Sequence, residues 1–500
     1  MASEEAATSF YVGPRIAVAR NALHLVLGQV ATTALAILLN AALGRALGAA
    51  DFGLYFLISA SSTFAYVLVD WGQQFYVVRE LARAPERAAS LLGSTLVLRI
   101  AGAALIAVPA TLVSWALGYG PRTCTFLIAF IAASLPFALS QGYGMIFRAR
   151  DRMGLVASVT VINKAITLAV ALGALALGAG LAAVVGAQLA GGLAALAAAA
   201  LLYRGLRAGS VRFSRGTAVE VLKGGSAIAS MMMAVSVQPY LDALILSRLV
   251  PAAAVGWYGA ARNIMGTLLA PSLIIGAAAY PTLSRASADS RAFAGEVSAA
   301  LRPMLILGAL GAAGTYVFAD QAIALVYGPR DFAPAGIILA VFAPTLLLLF
   351  ADVLFVTALT ALGRSTPFSI AKIATVGLAI VLELLLVPFF QGKWGNGGIG
   401  VVVASLASEV AVFAAAGLLM PRGTVRNAAA LLARAVACAA GTGLIFHWLP
   451  RLPLYAGVPA FVFFFVMGAL ASGLVRRSDL DLLAALIPRA AKVPGGAPAP

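Results

Sequence analysis

The sequence predicts an all-α integral membrane protein of about fourteen transmembrane helices, and three observations carry that reading. Hydrophobic residues make up 62% of the 500-residue chain and charged residues only 10%, with a mean hydropathy of +0.99, outside the range of an ordinary soluble domain. Apolar runs of the roughly 20 residues needed to cross a bilayer recur from end to end. The basic residues also alternate. Of 34, 26 fall at the two ends and in every second connector, 6 fall in the opposite connectors, and Lys164 and Arg262 lie inside helices. The positive-inside rule then places both termini in the cytoplasm. A net charge of +16 would suggest nucleic acid in a soluble protein, but here it is spread over the cytoplasmic loops and ends, as insertion and anionic headgroups require, and no nucleic-acid partner is expected.

Arg15 and Arg20 precede an apolar run, Leu23 to Leu43, that is too long for a signal-peptide core, so it is expected to be an uncleaved first span. Spans are expected near 21–44, 53–77, 91–118, 123–146, 154–178 and 180–203, then near 222–246, 255–282, 301–326, 334–359, 366–389, 397–420, 428–449 and 454–475. Residues 1–203 form a first six-helix bundle, 204–221 a basic cytoplasmic linker, 222–420 a second bundle, 428–475 an extra helix pair and 476–500 a cytoplasmic tail. The tail reads as a short amphipathic helix from Ser478, followed by a Pro/Gly/Ala segment from Val493 to Pro500. Cys124 and Cys438 show no sign of pairing.

The two halves echo each other. LGRALGAADFGLY (43–55) and LSRLVPAAAVGWY (246–258) align so that Leu43, Arg45, Gly53 and Tyr55 match Leu246, Arg248, Gly256 and Tyr258 at a constant offset. Each segment joins the first two spans of its half. A second echo pairs Ala149 and Arg152 with Ala361 and Arg364. An even number of helices separates the partners, so the halves have the same orientation. This predicts a pseudo-twofold axis along the membrane normal and a central cavity between the bundles.

At these residues the chain resembles the polysaccharide-biosynthesis flippases, which export lipid-linked O-antigen or exopolysaccharide units and belong to the multidrug/oligosaccharidyl-lipid/polysaccharide exporter superfamily. The likeness begins with GRALGAADFGLY and continues through VGWYGAARNIMGTLLAP with AAAYPTLSR (255–285), YGPRDFAPAGIIL (327–339), LTALGR (359–364) and GNGGIGVVVASLASE (395–409). It covers nearly the whole chain. The resemblance implies a bacterial inner-membrane carrier of an undecaprenyl-pyrophosphate-linked oligosaccharide. Its partners would be that lipid, the surrounding membrane lipids, a polysaccharide polymerase and a chain-length regulator.

Ionisable groups inside spans are costly, which makes them candidates for function. Lys164 lies about ten residues, roughly 15 Å, into its helix, near mid-membrane. Asn163 precedes it, and Gln141 in helix four can face the same centre. Arg262 and Asn263 lie in helix eight. A lipid pyrophosphate is anionic, and a cation is the simplest group to hold it away from water, so Lys164 and Arg262 are the expected headgroup contacts. Asp242, near Gln238 and Tyr240, is suited to bonding sugar hydroxyls, balancing Arg262 or binding a coupling cation. Asp70, in the polar cluster Asp70 to Gln74, is suited to an inner gate. Asp352, Glu383 and Glu409 are further candidates for coupling or gating. Arg99 is expected to snorkel to the surface. No cofactor is expected, and proton or sodium coupling stays open.

Enzyme signals fail. Gly395 to Gly400 matches GxGxxG but follows no strand, Asp479-Leu480-Asp481 mimics DxD in a tail too short for a nucleotide site, and the chain has no P-loop. Two histidines, His24 and His447, make no zinc cluster. No outer loop is long enough for the active site of a membrane polymerase or ligase. The rival readings are a cation-coupled multidrug antiporter, disfavoured because helix one carries His24, Gln29 and Asn40 but no carboxylate, and a lipid II flippase. A non-transporting scaffold would have no need of Lys164 and Arg262 inside its spans.

Overall fold

The computed structural model describes residues 14–206, 209–449 and 452–475, so the expected tail helix from Ser478 lies outside the described residues. The described chain folds into α1 (Pro14–Asp70), α2 (Gln73–Arg83), α3 (Ala88–Ala116), α4 (Pro121–Ala149), α5 (Met153–Ala176), α6 (Gly180–Gly205), α7 (Arg215–Ser236), α8 (Gln238–Leu249), α9 (Ala252–Ala286), α10 (Ser290–Tyr327), α11 (Ala333–Ala361), α12 (Ser365–Trp394), α13 (Gly398–Leu419), α14 (Arg422–Trp448) and α15 (Leu454–Ala471). Among the described residues there is no strand. In hydrocarbon a helix satisfies its own backbone, which is what so apolar a chain requires.

Among the described residues, twelve helical stretches are long and apolar enough to cross a membrane. One of them, Leu23–Arg83, contains the first two expected spans, and α7 with α8 supplies the seventh, which accounts for all fourteen. Where a connector was expected between spans one and two, α1 runs on. The segment is rich in Ala and Leu and has no proline, so only Gly48 leaves helical geometry, at φ 71° and ψ 172°. Span seven breaks before Pro239, which has no N–H to continue the ladder.

The described residues gather into two compact units. The first comprises those within 1–267, 320–338 and 369–408. Part of its core is built by Leu91, Leu92, Met145, Phe147, Ala195, Ala199 and Val221, drawn from α3, α4, α6 and α7. Gly191 and Gly192 let α6 lie close to α5 and α4, because a Cβ at Gly191 would stand 2.7 Å from the Asn163 carbonyl oxygen. The linker into α7 is fastened to α3. Arg212 N–H donates to the Ala89 carbonyl at 3.0 Å, Ser94 Oγ donates to the Ser214 carbonyl at 3.0 Å, and Ser214 caps α7 by accepting from Thr217 N–H. Just before span seven, Arg87 pairs with Glu220 at 2.6 Å and holds its carboxyl below the usual range.

The repeated segments meet face to face inside this unit. A Cβ on Gly53 would lie 2.1 Å from the Ala252 carbonyl oxygen, and one on Gly256 would lie 2.0 Å from the Ala49 carbonyl oxygen. These pairs are related by the same offset as the sequence repeat, so a local pseudo-twofold passes through the crossing. A second close approach lies where Trp71 and Gly72, at φ 45° and 72°, separate α1 from α2. There a Cβ on Gly72 would stand 2.4 Å from the Gly225 carbonyl oxygen, and Trp71 Nε1 donates to the Leu222 carbonyl at 3.2 Å.

The second unit comprises the described residues within 268–319, 339–368 and 409–500. Gly308 and Gly311 on α10 admit Phe350 and Leu346 of α11, and Phe355 meets Phe413 edge to face with ring centroids 4.7 Å apart. Tyr316 of α10 packs over Gly443 of α14, and Phe318 meets Phe446 and Phe461 from α14 and α15.

Backbone-to-backbone crossings leave no flexible side chain to yield. Gly256→Ala is therefore expected to cost about 1–3 kcal/mol through overpacking. Thermal unfolding in detergent should show a lowered midpoint. Gly266→Ala, where a Cβ meets nothing within 4 Å, should leave the midpoint unchanged or raise it.

Candidate functional site

Beyond Gly48, α1 carries polar residues three or four positions apart: Tyr55, Ser59, Ser62, Thr63, Tyr66 and Asp70. That spacing sets them along one face of a helix. The face lines a cavity of about 490 Å³, completed by Arg99 of α3, Ser134 and Gln141 of α4, Lys164 of α5 and Gln188 of α6. Three of these residues, Tyr55, Ser59 and Thr63, also line a second cavity of about 190 Å³, whose other walls include Asn40, Tyr240, Arg262 and Asn263. Both cavities lie within the first unit.

The structure brings together most of the residues the sequence singled out. Lys164 is half-buried and faces the larger cavity; among the described residues it makes no hydrogen bond or ion pair. Gln141 lines the same cavity. Arg262 lines the smaller one, with only a long contact of 3.7 Å to the Met265 sulfur, while Asn263 donates to Asn40 Oδ1 at 3.3 Å. Asn163 is buried and lines neither cavity; its backbone carbonyl lies against Gly191 of α6, and its Nδ2 has no partner among the described residues. Gln238 sits half-buried in the first turn of α8 and lines neither cavity.

Among the acids, Asp70 faces the larger cavity and forms an ion pair with Arg99. This corrects the expectation that Arg99 snorkels. It is 3% exposed, and its remaining donors reach the Ala138 carbonyl at 2.5 Å and Gln73 Oε1 at 3.4 Å. A guanidinium with a carboxylate and two further acceptors in reach has no need to stretch to the surface. Asp242 is 2% exposed, and its Oδ2 accepts from the Tyr258 hydroxyl at 2.9 Å. Beside it stands Glu383 of α12, 1% exposed and within electrostatic reach of Asp242. Arg262 lies within electrostatic reach of Asp242 without a direct ion pair. Asp352 on α11 and Glu409 on α13 are buried in the second unit, each engaged with its surroundings.

Comparison with known proteins fits this architecture. The family model described as polysaccharide biosynthesis protein matches residues 18–287, more than half of the chain. The chain belongs to this family. Among curated proteins no sequence matches. Among solved structures the fold resembles the lipid II flippase MurJ in an inward closed conformation, at 12% identity over 91% of this chain and 100% of that one, with a TM-score of 0.69. It also resembles an inward-facing multidrug resistance MATE family transporter of the MOP superfamily, at 16% identity over 79% of this chain and 95% of that one, with a TM-score of 0.64. A MOP superfamily transporter from Pyrococcus furiosus, whose structure is described by the reversed polarity of its binding pocket, aligns at 15% identity over 82% and 96%, with a TM-score of 0.56. These identities establish a shared fold. The protein is a multi-pass membrane protein that shares its fold with these solved structures.

Sequence reading missed the hydroxyl face of α1 and the Asp70–Arg99 pair. The three-and-four spacing of Tyr55, Ser59, Thr63 and Tyr66 is the signal that marks this face, but uncharged hydroxyls stand out little in an apolar span. Asp70→Asn should strand the Arg99 guanidinium and cost about 3–5 kcal/mol. The measurement is the unfolding midpoint, which the double variant Asp70→Asn/Arg99→Met should largely restore.

Proposed function

We propose that the protein flips an undecaprenyl-pyrophosphate-linked oligosaccharide from the cytoplasmic to the outer leaflet of the bacterial inner membrane, for O-antigen, capsule or exopolysaccharide synthesis. The observation that carries the proposal is Lys164, a cation with no ion-pair partner among the described residues, on the wall of a cavity that also carries Gln141, Gln188 and the α1 hydroxyls, with Arg262 on the wall of a second cavity. Holding an ammonium inside a span is costly unless a ligand supplies the charge it lacks. The phosphates of a lipid pyrophosphate supply it. Alternating access of the two six-helix halves would open the cavity to each leaflet in turn while the prenyl tail stays in an apolar setting. A polymerase and a chain-length regulator would then take up the product at the outer leaflet.

A lipid II flippase is the second reading, favoured by the fit to MurJ over 91% of this chain, and it calls for the same pyrophosphate chemistry. A multidrug antiporter is less well supported, because the cavity cation Lys164 would repel cationic drugs.

The test is deletion of the gene with leaflet-resolved extraction of lipid-linked sugars. Undecaprenyl-linked repeat units should accumulate on the cytoplasmic side and clear on re-expression, with Lys164→Ala or Arg262→Ala slowing clearance about 10- to 100-fold, the scale of one lost charge-assisted contact. Accumulation of lipid II instead would favour the second reading, and unchanged lipids with raised drug sensitivity would overturn both.

For coupling, Asp242 and Glu383 form the best-supported site. Two adjacent carboxyls in apolar surroundings repel when both are ionised, so a proton or a sodium ion relieves them. Glu383→Gln should make flipping in proteoliposomes insensitive to imposed proton and sodium gradients, whereas the wild-type rate should follow one of them.

A further inference from the structure

The first half of the chain grips the second where the larger cavity ends. Gly72, Gln74 and Phe75 line that cavity, and the next residue, Tyr76, lies over Gly224 of α7. Gly72 and Gly225 cross so closely that a Cβ on Gly225 would collide with the Trp71 carbonyl oxygen. The Tyr76 hydroxyl donates to Glu220 Oε1 at 3.1 Å, and Arg87 closes a bidentate pair on the same carboxylate at 3.1 and 2.6 Å. The connectors at this end carry Arg79, Arg83, Arg212 and Arg215, the bias that marks it as cytoplasmic.

Two properties set this contact apart from ordinary packing. Trp71 holds φ at 45°, in the left-handed region that a bulky side chain rarely adopts. Such strain persists only where the surroundings enforce it. Here α7 enforces it, because Trp71 Nε1 donates to the Leu222 carbonyl at 3.2 Å and the Trp71 carbonyl is backed by Gly225. The ion pair is also accessible: the Arg87 and Glu220 side chains are 33% and 41% exposed, so water can replace each bond as it breaks. The outer join of the halves is built differently. There Phe52, beside the Gly53–Gly256 crossing, is buried edge-on against Tyr327 and Phe332 with ring centroids 5.4 and 5.5 Å apart. Parting the outer join exposes aromatic surface, whereas parting the inner one releases strain and rehydrates charge. We infer, on the alternating access proposed above, that the α2–α7 contact is the inner gate, with Trp71–Gly72 as a strained jaw and Glu220 as its bolt. Of the two joins it is the one built to open first. Ser94 and Arg212 keep the start of α7 on α3, so the gate opens by a swing of α7 about that tether.

The test is site-directed labelling of the full chain with a membrane-impermeant maleimide, in a background freed of its own thiols by Cys124→Ser/Cys438→Ala. Gln74→Cys places a reporter on the cavity wall behind the gate, and inverted membrane vesicles present the cytoplasmic face. The reporter should label slowly with the gate intact. Glu220→Gln, which removes the bolt, and Trp71→Phe, which removes the bond that holds the jaw, should each raise the rate about 10-fold as a minor open state becomes a common one. Arg87→Glu alone should do the same, and the reversed pair Arg87→Glu/Glu220→Arg should return the rate towards the starting value. A second reporter, Asn40→Cys in the smaller cavity, labelled from the outer face of intact spheroplasts, should stay as slow or become slower in the same variants. Equal rates at Gln74→Cys in every variant would overturn the gate. So would faster labelling of both reporters together, the mark of a loosened fold. Labelling requires no cargo, so either failure leaves the flippase reading standing, and that reading falls only on the lipid extraction.

Discussion

Polar groups inside hydrocarbon must find partners within the protein or in a cavity. α1 is the element on which this constraint falls most heavily. Beyond Gly48 it carries a polar residue on almost every turn, and the rest of the first unit is arranged to wall that face in. Small residues at the contacts, Gly53 against α9 and Gly191 against α5, bring neighbouring backbones close, so the space left open is the space beside the polar face.

Within that setting the charged residues fall into two kinds. Arg99 and Asp70 neutralise each other at the cavity wall, with Gln73 and the Ala138 carbonyl completing the guanidinium's bonds. Lys164 and Arg262 have no ion-pair partner among the described residues. The cavity therefore keeps a positive surplus although it contains a carboxylate. Asp242 and Glu383 reverse the pattern, with two acids side by side and the Tyr258 hydroxyl on one of them. A positive surplus suits an anionic cargo, and a pair of acids suits a small cation.

The fold was legible in the sequence because hydropathy and the alternation of basic loops depend only on the local order of residues along the chain, not on contacts between distant ones. The join of the first two spans was harder to see, since GRALGAADFG has the glycines of a turn and the alanines of a helix, and the helix prevails everywhere except Gly48. At the site, single charges in apolar runs were visible, and Lys164, Arg262, Asn263, Gln141 and Asp70 do line the cavities. What depends on distant pairing was not visible. Nothing near Arg99 in sequence announces that Asp70 will meet it, and nothing near Asn163 tells that it is buried away from both cavities. The α1 hydroxyls were hidden for another reason, because serine and threonine are common enough in membrane helices that only the walls around them mark them out.

The crossing of α1 and α9 has a consequence for how this chain can change over generations. Gly53 leaves room for the carbonyl at Ala252, and Gly256 leaves room for the carbonyl at Ala49, so each copy of the repeated segment occupies the clearance that the other provides. A mutation that adds bulk to one copy is felt first by its twin. The two halves can drift apart freely along most of their length, but at this register they are bound to stay alike, and the last trace of an ancestral duplication should survive where the copies touch.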